Sequence, residues 1–537
     1  MPNYLKKYCF CLLFLLISAI STATERYNIK DFGAAGDGTT LDTEAINKAI
    51  TAAAKKGGGM VYFPTGTYLS YSIRLKSNIH LFLEAGSILK AAGKNDGGSY
   101  DAPGKGAGNE YQDYGHSYWR NSLIWGENLD NVTISGPGTI LGENLSRGFY
   151  DHEQWDEKGI PAGNLMWQGG GNKAIALKLC TNVILKDFTI IKGGHFGILA
   201  TGVDNFTIDN LKIDTNRDGI DIDSCKNVRI SNCTVNSPND DAICLKSSFA
   251  LGYARPTENV TITNCQVSGY DVGTLIDGTF KTEEGHLVPD QEGPTGRIKF
   301  GTESNGGFKN ITISNCVFDR SRGLALETVD GGLLEDVTIS NITMRNTTNS
   351  PFFLRLAGRM RGPEGVEPGE LRRVNISNIN VYNADSHFSS IVGGIPGHNI
   401  KNVRFSNINI WYKPLDSVKT QIQKVVPEHI KTYPEPAKMG IMPSYGFFLR
   451  HVENVEMHNI NIYHLGEEVR PALIFEDVRD AELYNLDAQR AGNAPILRLK
   501  NSENIHLKDS EFLEDQKIFR KTTGDFGARD AVQNNSE

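Results

Sequence analysis

The sequence predicts an all-β protein whose one large domain is a parallel β-helix, and three observations lead to this fold class. Short strands with β-branched residues at alternating positions recur in one phase along the chain. They start 22 to 26 residues apart where they follow closely, and 29 to 52 residues apart where loops are inserted or a second coil intervenes. An asparagine recurs at the sixth position of many of them. Strands with this spacing stack as successive coils of a solenoid.

The repeated segments share one apolar pattern. They begin at Asn131, Asn182, Asn205, Asn227, Asn259, Asn310, Asp336, Arg373, Asn402, Asn454, Asp480 and Asn504. The asparagines at the sixth position are Asn232, Asn264, Asn315, Asn341, Asn378, Asn407 and Asn459. Asparagine tolerates left-handed backbone angles and can hydrogen-bond along a ladder, so we interpret these residues as structural.

The N-terminus differs from the repeats. Lys6 and Lys7 precede an apolar run over residues 8–20, and a Ser-Thr-Ala tripeptide ending at Ala23 fits a small-residue cleavage site. We therefore predict a secretory signal over residues 1–23, and the alternative is an uncleaved anchor, although the run is short for a membrane span. The protein is then secreted or periplasmic.

Residues 24–515 are expected to form one domain, and residues 516–537 a flexible tail. Residues 28–56 predict a strand, a Gly-rich turn and an amphipathic helix that Asp42 or Thr43 can cap. The apolar stripe of this helix consists of Ala45, Ile46, Ala49 and Ile50. The motif DFGAAGDG followed by DTEAI resembles the start of secreted pectin-active and phage-tailspike β-helices. That resemblance implies that the helix caps the open end of the solenoid, whose strand edges are otherwise unpaired.

Composition narrows the function classes. The net charge of -8 and the pI near 5.9 argue against a nucleic-acid binder. Beyond the signal, three cysteines share one repeat position, which suggests a buried stack, although one disulfide bridge is compatible with an oxidising compartment. The six cysteines are Cys180, Cys225, Cys233, Cys244, Cys265 and Cys316.

Four insertions interrupt the repeats, at residues 91–122, 144–173, 268–297 and 411–447. Loops on a rigid scaffold carry binding groups. Aromatic rings in such loops suit the apolar faces of sugars, but a surface aromatic packs its own loop about as often. The aromatic residues of the first two insertions include Tyr100, Tyr111, Tyr114, Tyr118, Trp119, Trp155 and Trp167.

The most informative stretch of the chain holds two groups of carboxylates. Asp218, Asp221 and Asp223 form the first group, and Asp240 and Asp241 follow 22 and 23 residues after Asp218. If this spacing is one coil, both groups lie on one face, about 4.8 Å apart along the axis. Such crowding raises some pKa values and indicates cation binding or proton chemistry. An acidic ladder that faces solvent is the alternative.

The motifs NRD at residues 216–218, DGID and NDDAICLKS at 239–247 resemble the NTD and DD motifs of glycoside hydrolase family 28, the polygalacturonase-like enzymes. The resemblance covers roughly residues 26–515 and implies a right-handed β-helix and an inverting hydrolase. It implies that Asp240 is the general acid and that Asp218 and Asp241 hold the attacking water. Asp221 would then bind or support the substrate, and Asp223 would be a strand-end carboxylate.

Several departures from the family pattern concern substrate binding. Gly296 stands where the family has a histidine, and Ala325 and Glu327 stand where an arginine and a lysine hold the galacturonate carboxylate. The loss of the arginine and the gain of Glu327 reverse the local charge, so we do not expect unmodified polygalacturonate to bind in the same pose. The RIK sequence at 297–299 lies in a different coil from the family's RIK motif.

A uronate would then meet other basic residues, or the subsite would hold a neutral sugar such as rhamnose. The alternative for each basic candidate is a surface charge that contacts solvent and binds no ligand. These candidates are Lys246, Arg297, Lys299, Arg355 and Arg450. His195, one coil before Asp218, is a better candidate for the site than His286.

We predict a monomeric glycoside hydrolase that acts on a pectic polysaccharide or oligosaccharide, without a metal or other cofactor and without a nucleic-acid partner. The long insertions at 91–122, 144–173 and 268–297 favour exo action or hydrolysis of short oligomers over endo action. One alternative is a Ca²⁺-dependent polysaccharide lyase on the same fold, because the acidic cluster can hold a cation. The other is a carbohydrate-binding β-helix without catalytic activity.

Overall fold

The computed structural model describes residues 25–104, 111, 118–146, 166–283, 293–415 and 419–510, and two short strands beyond them, at 519–521 and 532–533. These residues form a right-handed parallel β-helix, which confirms the predicted fold class. Every pairing between strands is parallel. His286 and several insertion aromatics lie outside the described residues, as does the predicted signal.

The strands of the N-terminal half are β1 (Arg26–Asn28), β2 (Asp37–Leu41), β3 (Gly59–Phe63), β4 (Gly66–Ser70), β5 (Ile73–Arg74), β6 (Ile79–Leu83), β7 (Ser87–Ala91), β8 (Ile124–Glu127), β9 (Asp130–Ser135), β10 (Thr139–Leu141), β11 (Lys173–Lys178), β12 (Thr181–Lys186), β13 (Thr189–Ile191), β14 (Phe196–Thr201), β15 (Asp204–Asp209), β16 (Lys212–Asp214), β17 (Asp218–Asp223), β18 (Lys226–Ser231), β19 (Thr234–Asn236), β20 (Ile243–Ser247), β21 (Thr257–Thr263) and β22 (Gln266–Ser268). The strands of the C-terminal half are β23 (Ile298–Ser304), β24 (Phe308–Asp319), β25 (Leu324–Thr328), β26 (Leu333–Arg345), β27 (Phe352–Leu356), β28 (Glu370–Ala384), β29 (Ser390–Gly393), β30 (Ile400–Tyr412), β31 (Phe447–His464), β32 (Leu473–Ala488), β33 (Leu497–Lys500), β34 (Glu503–Lys508), β35 (Phe519–Lys521) and β36 (Val532–Gln533). Among the described residues, the helices are α1 (Thr43–Lys55) and the 3₁₀ helices at Ile29–Phe32, Lys419–Gln421 and Pro436–Met439.

The strands line three long faces, and one of them carries the acidic residues. This face, called sheet I, contains β5, β8, β11, β14, β17, β20, β23, β25, β27, β29, the first part of β31 and of β32, and β33 and β35. Inside the tube, each coil contributes one apolar side chain to a stacked row. One such row is Val132, Val183, Phe206, Val228, Val260, Ile311, Val337, Val374, Val403 and Val455, all buried. The period of the repeats therefore builds the core directly.

Helix α1 packs its predicted stripe onto the first coils. Ala45, Ile46, Ala49 and Ile50 are buried, as predicted. Asp42 precedes the helix, but its carboxylate does not cap it; the carboxylate accepts hydrogen bonds from the backbone N–H groups of Ala35 and Gly36 at 2.6 and 3.2 Å. Asp42 therefore stabilises the Gly-rich turn.

Asparagines form two ladders along the turns of the tube. The sixth-position asparagines have left-handed backbone angles and bond from coil to coil, as predicted; Asn378 donates to Asn341 at 3.1 Å, for example. The asparagines that open the repeats form a second ladder that the sequence analysis did not predict. Asn259 donates to Asn227 at 3.0 Å and accepts from Asn310 at 2.8 Å. Both ladders give side-chain amide groups hydrogen-bond partners within the protein, where they would otherwise bond to water.

The six cysteines within the described residues are all buried and unbridged. Cys233, Cys265 and Cys316 occupy equivalent positions in three successive coils, which confirms the predicted stack. Among the described residues, no helix is long and apolar enough to cross a membrane.

The insertions pack against the solenoid to different extents. Tyr100 and Trp119 are buried, so these aromatics stabilise their own loop and do not face a sugar. Residues 419–446 cross the outer face of sheet I beyond β23. Their Val426, Met439 and Met442 pack on a row of outward apolar side chains. That row is Ala325, Phe353, Ile391, Phe448 and Ile474.

Candidate active site

The two acidic groups meet on the outer side of sheet I. Asp218 and Asp221 lie on β17, and Asp240 and Asp241 lie in the turn that leads into β20, the next strand of the sheet. The N–H of Gly219 donates to the carbonyl of Asp241 at 3.0 Å, so the two segments run side by side. Oxygens of Asp218, Asp240 and Asp241 all lie within 4.8 Å of one another. The structure thus brings together the three predicted catalytic residues.

Asp240 is held by an arginine from the preceding coil. Both Nε and Nη2 of Arg217 donate to Oδ2 of Asp240, at 3.1 and 2.6 Å. Burial alone would raise the pKa of Asp240, but the charge of Arg217 and its hydrogen bonds outweigh burial and hold this pKa well below its usual range. Lys246 and Lys299 act in the same direction. In the unliganded protein Asp240 is therefore ionised.

The pKa of Asp218 is shifted in the opposite direction. Its side chain is buried, and its Oδ1 accepts a hydrogen bond from the N–H of Asp241 at 3.3 Å. Burial raises the pKa of Asp218 well above its usual range, and the charges of Asp221 and Asp240 raise it further. Lys246, 3.8 Å away, opposes the shift without cancelling it. Asp218 is therefore the carboxylate of the cluster that most readily holds a proton.

Three buried basic residues compensate the remaining charge. Nζ of Lys246 lies 3.1 Å from Oδ2 of Asp221. Asp241 lies between Arg297, whose Nε is 2.8 Å from Oδ1, and Lys299, whose Nζ is 3.4 Å from Oδ2. Lys246, Arg297 and Lys299, which the sequence analysis proposed as substrate ligands, are thus all at the site, but each is engaged by a carboxylate of the protein.

The insertion at 419–446 supplies one more carboxylate, Glu435. It accepts from Nη2 of Arg297 and Nη1 of Arg322, both at 2.9 Å, and from Nδ2 of Asn349 at 3.0 Å. Burial raises the pKa of Glu435, but the two arginines outweigh it and lower this pKa to about 2. Glu435 therefore stays ionised and fixes Arg297 against Asp241.

The insertion also carries Tyr433 to the edge of the cluster. Its hydroxyl accepts from Nζ of Lys299 at 3.2 Å, and the residue is 41% exposed. An exposed ring beside the carboxylates suits the apolar face of a sugar. Tyr433 is thus better placed to face a sugar than the buried aromatics of the first insertion.

Glu327 is a buried carboxylate on β25. Its Oε2 lies 3.8 Å from Nζ of Lys299, and neither of its oxygens has a hydrogen-bond partner among the described residues. Burial raises the pKa of Glu327 to about 7, although Lys299 and Arg297 act to lower it. At neutral pH this carboxyl group is partly protonated, so the reversed charge at this position is only partial.

The structure explains two of the departures from the family pattern. Gly296 has a φ of 48°, and a Cβ added there would lie 2.1 Å from the carbonyl oxygen of Ser268, so a histidine does not fit without moving the backbone. Ala325 is buried under Met439 and the rest of the insertion. An arginine at that position would have no path to a ligand.

Three further candidates are less central. His195 is buried beside Phe196, whose ring lies 5.6 Å from Nζ of Lys246. Arg355 donates to the backbone carbonyls of Gly393, Gly394, Glu428 and His429. Arg450 pairs with Glu428 and Glu476. Arg355 and Arg450 thus anchor the insertion, and their proposed role as substrate ligands is not supported by these contacts.

Sequence reasoning missed Arg217, Tyr433 and Glu435. Arg217 was within the NRD motif, where the family has a threonine, and this departure was a usable signal. Tyr433 and Glu435 lie in an insertion without periodicity, so no pattern placed them beside residues more than 130 positions earlier.

The fold and the carboxylate cluster define a parallel β-helix with a candidate site for proton chemistry on one sheet. The sequence matches the family described as "Rhamnogalacturonase A/epimerase, pectate lyase-like" over residues 26–243. A probable polygalacturonase of Vitis vinifera is 27% identical over 352 residues, which cover 61% of this chain and 62% of that protein. The match therefore spans less than two thirds of the relative's length.

Two solved structures share the fold over most of the chain. The family 28 exopolygalacturonase of Yersinia enterocolitica has a TM-score of 0.61 at 18% identity, and the alignment covers 87% of this chain and 79% of that one. The hyperthermoactive exopolygalacturonase of Thermotoga maritima has a TM-score of 0.59 at 20% identity, with 82% and 92% covered. The chain thus shares the parallel β-helix fold of these two structures, and its sequence is similar to polygalacturonases.

Proposed function

We propose that this protein is a glycoside hydrolase that cleaves O-glycosidic bonds of a pectic polysaccharide or oligosaccharide. The observation that carries the proposal is the cluster of Asp218, Asp240 and Asp241, whose oxygens lie within 4.8 Å of one another. Burial raises the pKa of Asp218, whereas Arg217 outweighs burial at Asp240 and lowers its pKa. Glycoside hydrolysis needs one carboxylic acid to protonate the leaving oxygen and an ionised partner to activate water. The cluster supplies both states at the same pH.

The family resemblance assigns the roles. Asp240 donates the proton to the leaving glycosidic oxygen, and Asp218 with Asp241 orients the water that attacks from the opposite face of the sugar. The reaction inverts the anomeric configuration. In the unliganded protein the raised pKa is that of Asp218 and the lowered pKa is that of Asp240, so these roles require that substrate binding releases Asp240 from Arg217.

The same three carboxylates are close enough to bind a cation, which is the basis of the Ca²⁺-dependent lyase alternative. Basic residues lie against every one of them: Arg217 on Asp240, Lys246 near Asp218, and Arg297 and Lys299 on Asp241. These charges already neutralise the cluster and oppose a divalent ion. They support metal-independent hydrolysis over the lyase reaction.

Secretion and exo action belong to the same proposal. The N-terminal segment over residues 1–23 has the pattern of a secretory signal, and a pectic substrate is extracellular. The insertion at 419–446 forms a wall beside the cluster, which favours attack near a chain end. Release of short oligomers or monomers from the first turnovers would support exo action.

The test is turnover by the mature protein on homogalacturonan, rhamnogalacturonan and their oligosaccharides, with and without EDTA. We expect new reducing ends, no ultraviolet absorbance from an unsaturated product, and no effect of EDTA. Absorbance that EDTA abolishes would instead establish the lyase.

The Asp240→Asn variant should lose about a hundredfold to ten-thousandfold in kcat, the usual contribution of a general acid. Asp130→Asn, on an exposed end of β9, is the matched control, and binding without turnover by the wild type would indicate the carbohydrate-binding alternative.

A further inference from the structure

The basic residues at the site differ in how accessible they are to a ligand. Among the described residues, four basic side chains form ion pairs with Asp218, Asp240 or Asp241. Arg297 and Lys299 are 3% exposed and Lys246 is 10% exposed, whereas Arg217 is 20% exposed. Arg217 is therefore the basic group of this set that an incoming sugar meets first.

The ion-pair partners of these basic residues support the same conclusion. Arg297 lies between Asp241 and Glu435, and Lys299 between Asp241 and Glu327, so each is held from two sides by buried carboxylates. The guanidinium of Arg217 contacts Oδ2 of Asp240, which is itself 18% exposed on its side chain. A carboxylate on the substrate can replace Asp240 as the partner of Arg217 with little loss of charge compensation, because both are anions that accept two N–H groups.

We infer that Arg217 recognises a uronate carboxylate of the substrate and, by moving from Asp240 to that carboxylate, frees Asp240 to act as the general acid. The inference rests on the proposed function and specifies its substrate class as an acidic sugar at the position next to Asp240. It also accounts for the missing basic pair, since Ala325 is covered and Glu327 is an acid.

The release of Asp240 moves one proton and needs no other reactant. While Arg217 pairs with Asp240 at 2.6 Å, the pKa of Asp218 is raised and that of Asp240 is lowered, so Asp218 holds a proton of the cluster in preference to Asp240. Once the guanidinium has left, Asp240 has lost its direct ion pair, and the proton passes from an oxygen of Asp218 to an oxygen of Asp240, directly or through a water. Asp218 is then ionised beside Asp241, as the activation of water requires, and Asp240 carries the proton for the leaving oxygen.

Within the described part of the chain, charged or titratable groups other than Arg217 face Asp240 from several elements. Asp218 faces it from β17, Lys246 from β20, Lys299 from β23 and Tyr433 from the insertion. Asp241 is its neighbour in the chain. Lys246 and Lys299 are held by other carboxylates, so Arg217 is the group whose displacement changes the charge around Asp240.

The experiment compares kcat/KM for oligogalacturonates and for the same oligomers with their carboxylates methyl-esterified. We expect wild-type protein to prefer the acid. Arg217→Gln should lose about tenfold to a hundredfold on the acid, the range for a hydrogen bond to a charged group, and its kcat/KM on the ester should rise because Asp240 is no longer held ionised. Arg217→Lys keeps the charge but not the paired N–H groups, so its kcat/KM on each substrate should lie between those of the wild type and Arg217→Gln. Arg229→Gln, an exposed arginine on β18, is the matched control.

Each result has one meaning. A loss on the acid with a gain on the ester supports the inference, since a residue that merely orients Asp240 would not improve the ester. A loss by the same factor on both substrates, or a wild type that prefers the ester, overturns the inference and leaves the proposed hydrolysis intact. Wild-type protein that hydrolyses neither of these substrates but does hydrolyse rhamnogalacturonan overturns the inference alone. Wild-type protein that hydrolyses none of the three contradicts the proposed function, and the inference falls with it.

Discussion

At the scale of single residues, burial and neighbouring charges shift the pKa values of four carboxylates of the site in different directions. Burial and Asp221 raise the pKa of Asp218, whereas the Arg217 guanidinium outweighs burial at Asp240. Two arginines lower the pKa of Glu435 to about 2, and burial raises that of Glu327 to about 7. Acidic residues of one sheet and its insertion thus titrate over several pH units, which is the condition for acid and base to coexist.

Glu327 gives the first prediction. Its pKa is about 7 in the folded protein, above its ordinary value of 4.5, so its protonated form stabilises the fold below pH 4.5 and this stabilisation is lost as the pH rises through 7. Glu327→Gln stays neutral throughout. We expect the variant to gain stability relative to wild type between pH 5 and pH 8, by at most about 3 kcal/mol. Urea denaturation at several pH values measures the difference, with the surface variant Glu456→Gln as control. A constant difference between Glu327→Gln and wild type over this range would contradict the shifted pKa.

At the scale of the elements, the asparagine ladders are the main regular feature outside the core. Asn259 combines a φ of 57° with hydrogen bonds to Asn227 and Asn310. Alanine at this position would lose both bonds and would be strained in the left-handed region. Glycine would lose the bonds without the strain.

We therefore expect Asn259→Ala to lower the free energy of unfolding by about 1 to 3 kcal/mol, and Asn259→Gly to lower it by less. Chemical denaturation of the two variants measures the difference. Equal losses would mean that the hydrogen bonds alone stabilise the turn, and no loss in either variant would mean that the ladder is replaced by water.

Much of these elements was predictable, for a physical reason. The inward residues repeat once per coil, so the strand segments, the asparagine turns and the cysteine stack follow from the sequence period. The positions of Asp218 and Asp240 follow as well, because one coil separates them. The backbone at Gly296 and the cover over Ala325 depend on how insertions fold onto the solenoid, which no local period encodes. For the same reason Tyr433 and Glu435 were not predicted.

At the scale of the whole molecule, the site joins parts of the chain that lie far apart in sequence. Strands β17, β20 and β23 bring the acidic and basic residues together on sheet I, and the insertion at 419–446 closes over the next strands. Glu435 connects the two, since it holds Arg297, which in turn holds Asp241. An insertion that packs mainly by apolar contacts thereby also fixes the orientation of a candidate catalytic residue.

This connection predicts a coupled loss in Glu435→Gln. The change removes the negative charge that pairs with both Arg297 and Arg322 in a buried site. We therefore expect the free energy of unfolding to fall by about 3 to 5 kcal/mol. Arg297 then holds Asp241 less firmly, so kcat should fall more than KM rises. Thermal unfolding and steady-state kinetics measure the two effects. Glu428→Gln is the matched control, since Glu428 lies in the same insertion but pairs with Arg450 and His451. If Glu428→Gln lowered kcat as much as Glu435→Gln, the general looseness of the insertion, and not the contact through Arg297, would explain the loss.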